Sequence, residues 1–186
     1  YNSGLLDALL LRLHTETACR RGGALGLRVM DLDVDRGLVR LTEKSGTLRW
    51  QPVTLDLATC LAAHAHARGA RLPIDGLLRF RHGAQLTYRR YDHLWRRLGE
   101  RLPWVAAQGV SIHWLRHTTL TWVERHLGYG IARAFTGHTD TNGAATTTYI
   151  KADLQAVATA LTAMTGQPHP LATISGPDDL YRAAMA

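Results

Sequence analysis

The feature that most constrains the fold is a change of hydrophobic period that happens twice in the first third of the chain. Leu5, Leu6, Leu9, Leu10 and Leu13 recur at helical spacing, which predicts a helix over 3–17. A second helix is expected over 22–28, with Ala24, Leu25 and Leu27 as apolar contacts and Arg20 and Arg21 at the junction. The period then shortens. Segments 29–34, 38–42 and 48–53 read as strands, separated by the turn-forming strings Asp35-Arg36-Gly37 and Lys44-Ser45-Gly46. Strands joined this tightly can only pair antiparallel. The expectation is a three-stranded meander with Lys44 at the tip of its second hairpin. Over 55–68 the helical period returns, with Leu57, Cys60 and Leu61 as core.

The remainder is helical apart from connectors. Segment 69–76, with Pro73, reads as a loop, 77–80 as briefly extended, and Arg81-His82-Gly83 as a turn. A helix over 87–102 carries Arg89, Arg90, Arg96, Arg97 and Arg101, with Tyr91, Leu94, Trp95 and Leu98 as its buried side. Pro103 and Gly109 bracket a connector, and Ser111 is a plausible N-cap for a helix to 126. Gly128-Tyr129-Gly130 breaks it, and a short helix over 131–136 ends at Gly137. A loop holds 140–143, followed by helices over 146–149 and 153–164. The tail from 165, with Gly166, Pro168, Pro170, Gly176 and Pro177, reads as loosely structured, with a helical turn over 178–185. The fold class is therefore mainly α with a small antiparallel three-stranded β-sheet.

Size and chemistry narrow the function. The 186 residues suffice for one domain with its own core, and the longest apolar runs are far too short to span a membrane. The start at Tyr1, without a methionine, reads as a segment of a longer protein. Lys plus Arg number 22 against 15 acids, for a net charge of +7. Only Lys44 and Lys151 are lysines, so the basic side chains are almost all guanidiniums. Those form bidentate forks with phosphate, although a GC-rich genome would give the same bias. Cys19 and Cys60 make no metal-ligand pattern, and His64 and His66, two apart on a helix, point to different faces. The reading is a reduced, cytoplasmic protein with neither metal nor cofactor.

Against that background, one set of residues carries chemistry. His113 and Arg116 are three apart on one helix and share a face, with His117 four from His113. His138 follows Gly137 at a helix end, and Tyr149 lies eleven residues on. Each has an ordinary reading: a solvated helix stripe, a C-terminal cap, a core tyrosine. Taken together, an arginine, two imidazoles and a phenol suit a phosphodiester. The arginine binds the anion, the imidazoles move protons, and the phenol attacks once a base or positive field favours phenolate. Arg20 at a helix start and Lys44 in a hairpin tip would add to that field.

The order Arg20, Lys44, His113 with Arg116, His138, Tyr149 resembles the catalytic domain of the tyrosine recombinases, the phage-integrase and Xer-like family. The flanking strings Leu115-Arg116-His117-Thr118 and Gly137-His138 match it too, and the likeness runs over roughly 5–161. The resemblance implies the integrase catalytic-domain fold over 1–164 and a metal-free strand exchange on double-stranded DNA. Tyr149 would attack a backbone phosphate and leave a 3′-phosphotyrosine. Arg20 and Arg116 would clamp the non-bridging oxygens, and His113 would take the tyrosine proton. Lys44 would protonate the departing 5′-oxygen, and His138 would hydrogen-bond the phosphate.

It further implies a homo-oligomer, a tetramer, on DNA from a chain that is monomeric alone. The tail 165–186 would dock on a neighbouring subunit through Leu180, Tyr181 and Met185. Arg21, Arg49, Arg89 and Arg90 are further candidates for DNA contact.

The sequence departs from the family pattern. Gly23 stands where an acid usually supports the active-site histidine, so His113 is oriented by something else. Trp114 stands where Asp is frequent, and the interval from His138 to Tyr149 is about two residues longer than usual. The N-terminal domain that clamps the other face of DNA is absent from these residues. A topoisomerase IB-like strand transferase and a catalytically inactive architectural relative remain as alternatives.

Overall fold

The leucine ladder forms the central helix. In this computed structural model, which describes residues 3–42, 46, 48–136 and 147–173 (only the backbone of 3 and 147–153), α1 spans Ser3–Thr17. Leu6, Leu9, Leu10 and Leu13 are buried, whereas Leu5 faces outward. Neighbours on three sides fix α1. Its Arg12 pairs with Asp56 at 2.6 Å, and its Glu16 accepts the backbone N–H of Thr54 at 2.9 Å. Its Thr15 carbonyl accepts from the Thr119 hydroxyl at 2.9 Å, and its Asp7 takes Arg97 at 2.5 Å and Arg90.

After the short helix α2 (Arg21–Leu25) come β1 (Leu32–Asp33), β2 (Leu38–Thr42) and β3 (Leu48–Pro52). They form one antiparallel sheet in the order β1-β2-β3, with Leu41 opposite Arg49 and Val39 opposite Gln51. The first strand is shorter than expected, because Val29–Asp31 is a 3-10 turn. The buried Asp31 carboxylate holds it there, accepting the Arg28 N–H at 3.0 Å and the Arg40 guanidinium at 2.6 Å. Gly37 turns the chain into β2 at φ +62°, where a Cβ would lie 2.7 Å from the Val53 carbonyl. Lys44, between β2 and β3, lies outside the described residues.

Helix α3 (Leu55–Ala67) follows, N-capped by the Thr54 hydroxyl, which accepts from Leu57 N–H at 3.2 Å. Then come α4 (Tyr88–Arg101), α5 (Pro103–Ala107), α6 (Ile112–Leu127), α7 (Tyr129–Thr136) and α8 (Thr147–Thr165). Three of these depart from expectation. The connector at 103–107 is a helix, started by Pro103 in its first turn. The break after α6 is Gly128 alone, at φ +89°, and α7 begins at the next residue. The two helices expected near 146–164 are one, since no glycine or proline interrupts Thr147–Thr165. Ser111 occupies the N-cap position of α6 without a side-chain capping bond.

Two apolar clusters result. The larger joins α1, the sheet, α3 and α4 through Leu10, Leu13, Val39, Leu41, Leu57, Leu61 and Tyr91. The smaller joins α6, α7 and α8 through Val123, Phe135, Val157 and Ala160. The chain crosses between them just after α1: Ala18 belongs to the smaller cluster and Cys19 to the larger. Beyond α8 the chain folds back on itself. His169 is buried, its Nε2 3.0 Å from the Gly37 carbonyl. The tail residues 174–186, including Leu180, Tyr181 and Met185, lie outside the described residues.

Candidate active site

Arg20 stands at the crossing between the two clusters, in extended backbone at the N-cap position of α2. A cleft of about 570 Å³ opens beside it. Its walls bring Arg20 together with His113 and Arg116 of α6, three side chains from two distant segments. Arg116 is buried, and its guanidinium donates to the Ala18 carbonyl. Ala18 sits at φ +48°, in the left-handed region, so the chain bends sharply to present that oxygen. Arg20 and His113 are exposed. Three cations or proton carriers facing one cleft can bind an anion with charge to spare.

The wall behind Arg20 is a polar network buried under the cleft. The His14 ring lies between the Cys19 carbonyl, 3.0 Å from Nδ1, and the Tyr91 hydroxyl, 2.8 Å from Nε2. Burial alone would raise the Cys19 thiol, but the adjoining His14 outweighs it and draws the thiol down, with a smaller pull from Arg49. Burial likewise would lower His14, yet the Cys19 contact holds it up. Tyr91 is pushed well above the ordinary phenol range, chiefly by burial. A buried phenol so disfavoured as phenolate does not serve as a nucleophile. Sequence reasoning gave no chemical role to His14 or Cys19 and placed Tyr91 only on the buried side of its helix, where it lies. Only the adjacency of Cys19 to Arg20 could have pointed to them.

The other candidates fall in different places. Arg21 lines the same cleft, stacked over Tyr88 at 4.4 Å and 3.6 Å from Asp92. Arg49 of β3 is half-buried and donates to Gln51. Arg89 is exposed. Arg90 departs from the expectation of a DNA-facing side chain: it is buried and pairs with Asp7, since its turn of α4 faces α1. At position 23, where an acid was expected, Gly23 faces Thr42 and Leu41 of β2. His138 and the side chain of Tyr149 lie outside the described residues, although the Tyr149 backbone is in the first turn of α8.

Among the described residues, no cluster of three or more His, Cys, Asp or Glu side chains could hold a metal ion. No described helix is long and apolar enough to cross a membrane.

Residues 2–155 match the phage integrase family. The chain belongs to that family. Solved structures of tyrosine recombinases share the fold. A XerA recombinase matches with a TM-score of 0.54 at 20% identity, covering 80% of this chain and 57% of its own. A XerH site-specific recombinase bound to its difH substrate, in a pre-cleavage complex, gives 0.57 at 18% identity, over 74% of this chain and 41% of its own. The Tn1549 transposon integrase in complex with transposon right-end DNA gives 0.54 at 17% identity, over 96% and 57%. This phage-integrase domain thus spans about half the length of the recombinases it matches. A search of the curated proteins finds none that matches it.

Proposed function

We propose that this phage-integrase domain is the catalytic part of a site-specific DNA recombinase, cutting and rejoining double-stranded DNA through a 3′-phosphotyrosine. The observation that carries the reading is the convergence of Arg20, Arg116 and His113 on one cleft. The phenol oxygen of Tyr149 attacks phosphorus, the bond to the 5′-oxygen breaks, and a pentavalent transition state with one more negative charge lies between. Two preorganised guanidiniums bind that state more tightly than the diester, so no metal is required for charge compensation. His113 takes the phenolic proton, Lys44 gives one to the departing 5′-oxygen, and His138 hydrogen-bonds the phosphate. A 5′-hydroxyl from another strand reverses the attack and reseals the DNA without external energy.

DNA contact extends to Arg21, Arg49 and Arg89, and the assembly on DNA is a homotetramer of subunits that are monomeric alone. In a cell the reading places the protein with its DNA in the cytoplasm. The test is covalent capture on a pool of nicked duplexes of randomised sequence, in which the cleaved strand diffuses away and traps the adduct. The wild type should yield a protein–DNA band resistant to SDS, and Tyr149→Phe should yield none. An unchanged band in Tyr149→Phe removes the nucleophile. No band from the wild type on any sequence favours an architectural DNA-binding relative, to which the departures at Gly23 and Trp114 also point.

A further inference from the structure

His113 is shared by two clefts. Besides the arginine-lined one, it borders a second of about 500 Å³ on the other side of α6, lined by Trp114, His117, Trp122, Arg125 and His126. His117 lines only the second. The two imidazoles meet across the ridge: Nε2 of His113 lies 2.7 Å from Nε2 of His117, with the ring planes at 89°. Two nitrogens that close share one proton, so one ring donates and the other accepts. Both rings are exposed, and the i,i+4 spacing on α6 holds them on one face.

This arrangement answers a problem in the proposed reaction, on which the inference rests. A proton taken by His113 creates an imidazolium in the cleft that already holds Arg20, Arg21 and Arg116, with Asp92 as the one carboxylate among the described residues that line it. An imidazolium has no lone pair left to accept another proton, so the ring needs a route by which that proton leaves. His117 offers a way out.

We infer that His117 is a positioning residue and proton acceptor behind His113, relaying the phenolic proton out of the catalytic cleft. The proton leaves the attacking phenol O–H and enters at Nδ1 of His113. The proton on Nε2 of His113 passes to Nε2 of His117. His113 ends neutral, and the positive charge rests on His117 in the second cleft, from which its Nδ1–H goes to water. His117 also supplies the orienting contact that the glycine at position 23 lacks. The relay fixes two tautomers in the resting protein: Nε2–H on His113 and Nδ1–H on His117.

Single-turnover adduct formation on the nicked duplex, with wild type, His117→Ala and His117→Gln, tests it. His117→Ala should slow the adduct on the order of 100-fold, the scale of a lost proton-transfer partner, with DNA affinity unchanged. Imidazole added to solution should restore part of that rate, since the vacated site opens to water. His117→Gln can hydrogen-bond but cannot carry the proton, so it should stay slow; recovery by Gln would reduce His117 to an orienting group and overturn the relay. Long-range nitrogen–proton NMR of the DNA-free protein reads the tautomers directly, and the opposite pair would overturn it as well. If the wild type forms adduct and His117→Ala matches it, the relay fails alone. If the wild type forms none, the parent reaction fails and the relay with it.

Discussion

Replacing Arg116 separates two contributions that the structure joins in one side chain. Its guanidinium is buried, donates to the Ala18 carbonyl, and lines the cleft that also holds Arg20 and His113. Arg116→Ala removes the donor from a carbonyl on a fully buried residue, which costs about 1–3 kcal/mol. For a chain of this size, that lowers the melting temperature by about 2–4 °C per kcal/mol. In the proposed reaction it also removes one transition-state donor, worth about 3–4 kcal/mol, or roughly 100- to 1000-fold in cleavage rate. Arg116→Lys divides the two. An ammonium can answer the Ala18 carbonyl or reach a phosphate oxygen, but it lacks the fork that does both. The expected outcome is a melting temperature close to wild type with adduct formation on the nicked duplex still down about 100-fold. Thermal melts and single-turnover capture on the same preparations measure the pair. Arg116→Lys cutting within about threefold of wild type would refute the argument that a preorganised fork stabilises the developing charge.

Other outcomes follow from the surroundings of the cleft. Arg89→Ala should reduce the slope of log affinity against log salt by about 1 and leave the melt unchanged, as befits an exposed phosphate contact. Arg90→Ala should do the reverse, because Arg90 is buried against Asp7; filter binding across a salt series and a thermal melt compare the two. His64 is held down to about 4 by burial and by the charge of Arg68, while the Arg79 backbone N–H donates to its Nε2 at 3.2 Å. As pH falls, the unfolded histidine protonates first. The stability due to neutral His64 is therefore complete above its ordinary value of 6.5 and lost progressively down to about 4. Melts of His64→Gln should accordingly fall less than wild type over that window, and parallel curves would refute the assignment.

The parts of the fold legible in the sequence are those set by local period and turn chemistry. The leucines of α1, the glycine turns of the sheet and the glycine after α6 each act within a few residues, and each was readable. What escaped is polar burial balanced by remote partners. Arg90 reads as one more exposed guanidinium until Asp7, 83 positions away, comes against it. His169 reads as a tail residue until it meets the Gly37 carbonyl, 132 positions away. The His14–Tyr91 bond spans 77 positions and the Arg116–Ala18 bond 98. A local pattern carries no term for such partners, so a buried polar side chain and a solvated one look alike. The order of Arg20, His113 and Arg116 was legible because a family resemblance supplied the long-range information that periodicity lacks.

The crossing at Ala18 shows why that order is tied to the fold. A non-glycine residue at φ +48° is disfavoured by roughly 1–2 kcal/mol and persists only where its surroundings leave no alternative. Here they do so bond by bond. Ala18 N–H donates to the His14 carbonyl at 2.9 Å, and Cys19 N–H donates to the Thr17 hydroxyl at 3.2 Å. His14 contacts the Cys19 carbonyl, and Arg116 takes the Ala18 carbonyl. The bend that sends the chain from one apolar cluster to the other is thus the same bend that aims Arg20 and anchors Arg116. Arg116 is anchored on the crossing through the Ala18 carbonyl, and the backbone that carries Arg20 leaves the same bend. The anion cradle proposed for Arg20 and Arg116 needs such stiffness, and the strain at Ala18 would be its local cost.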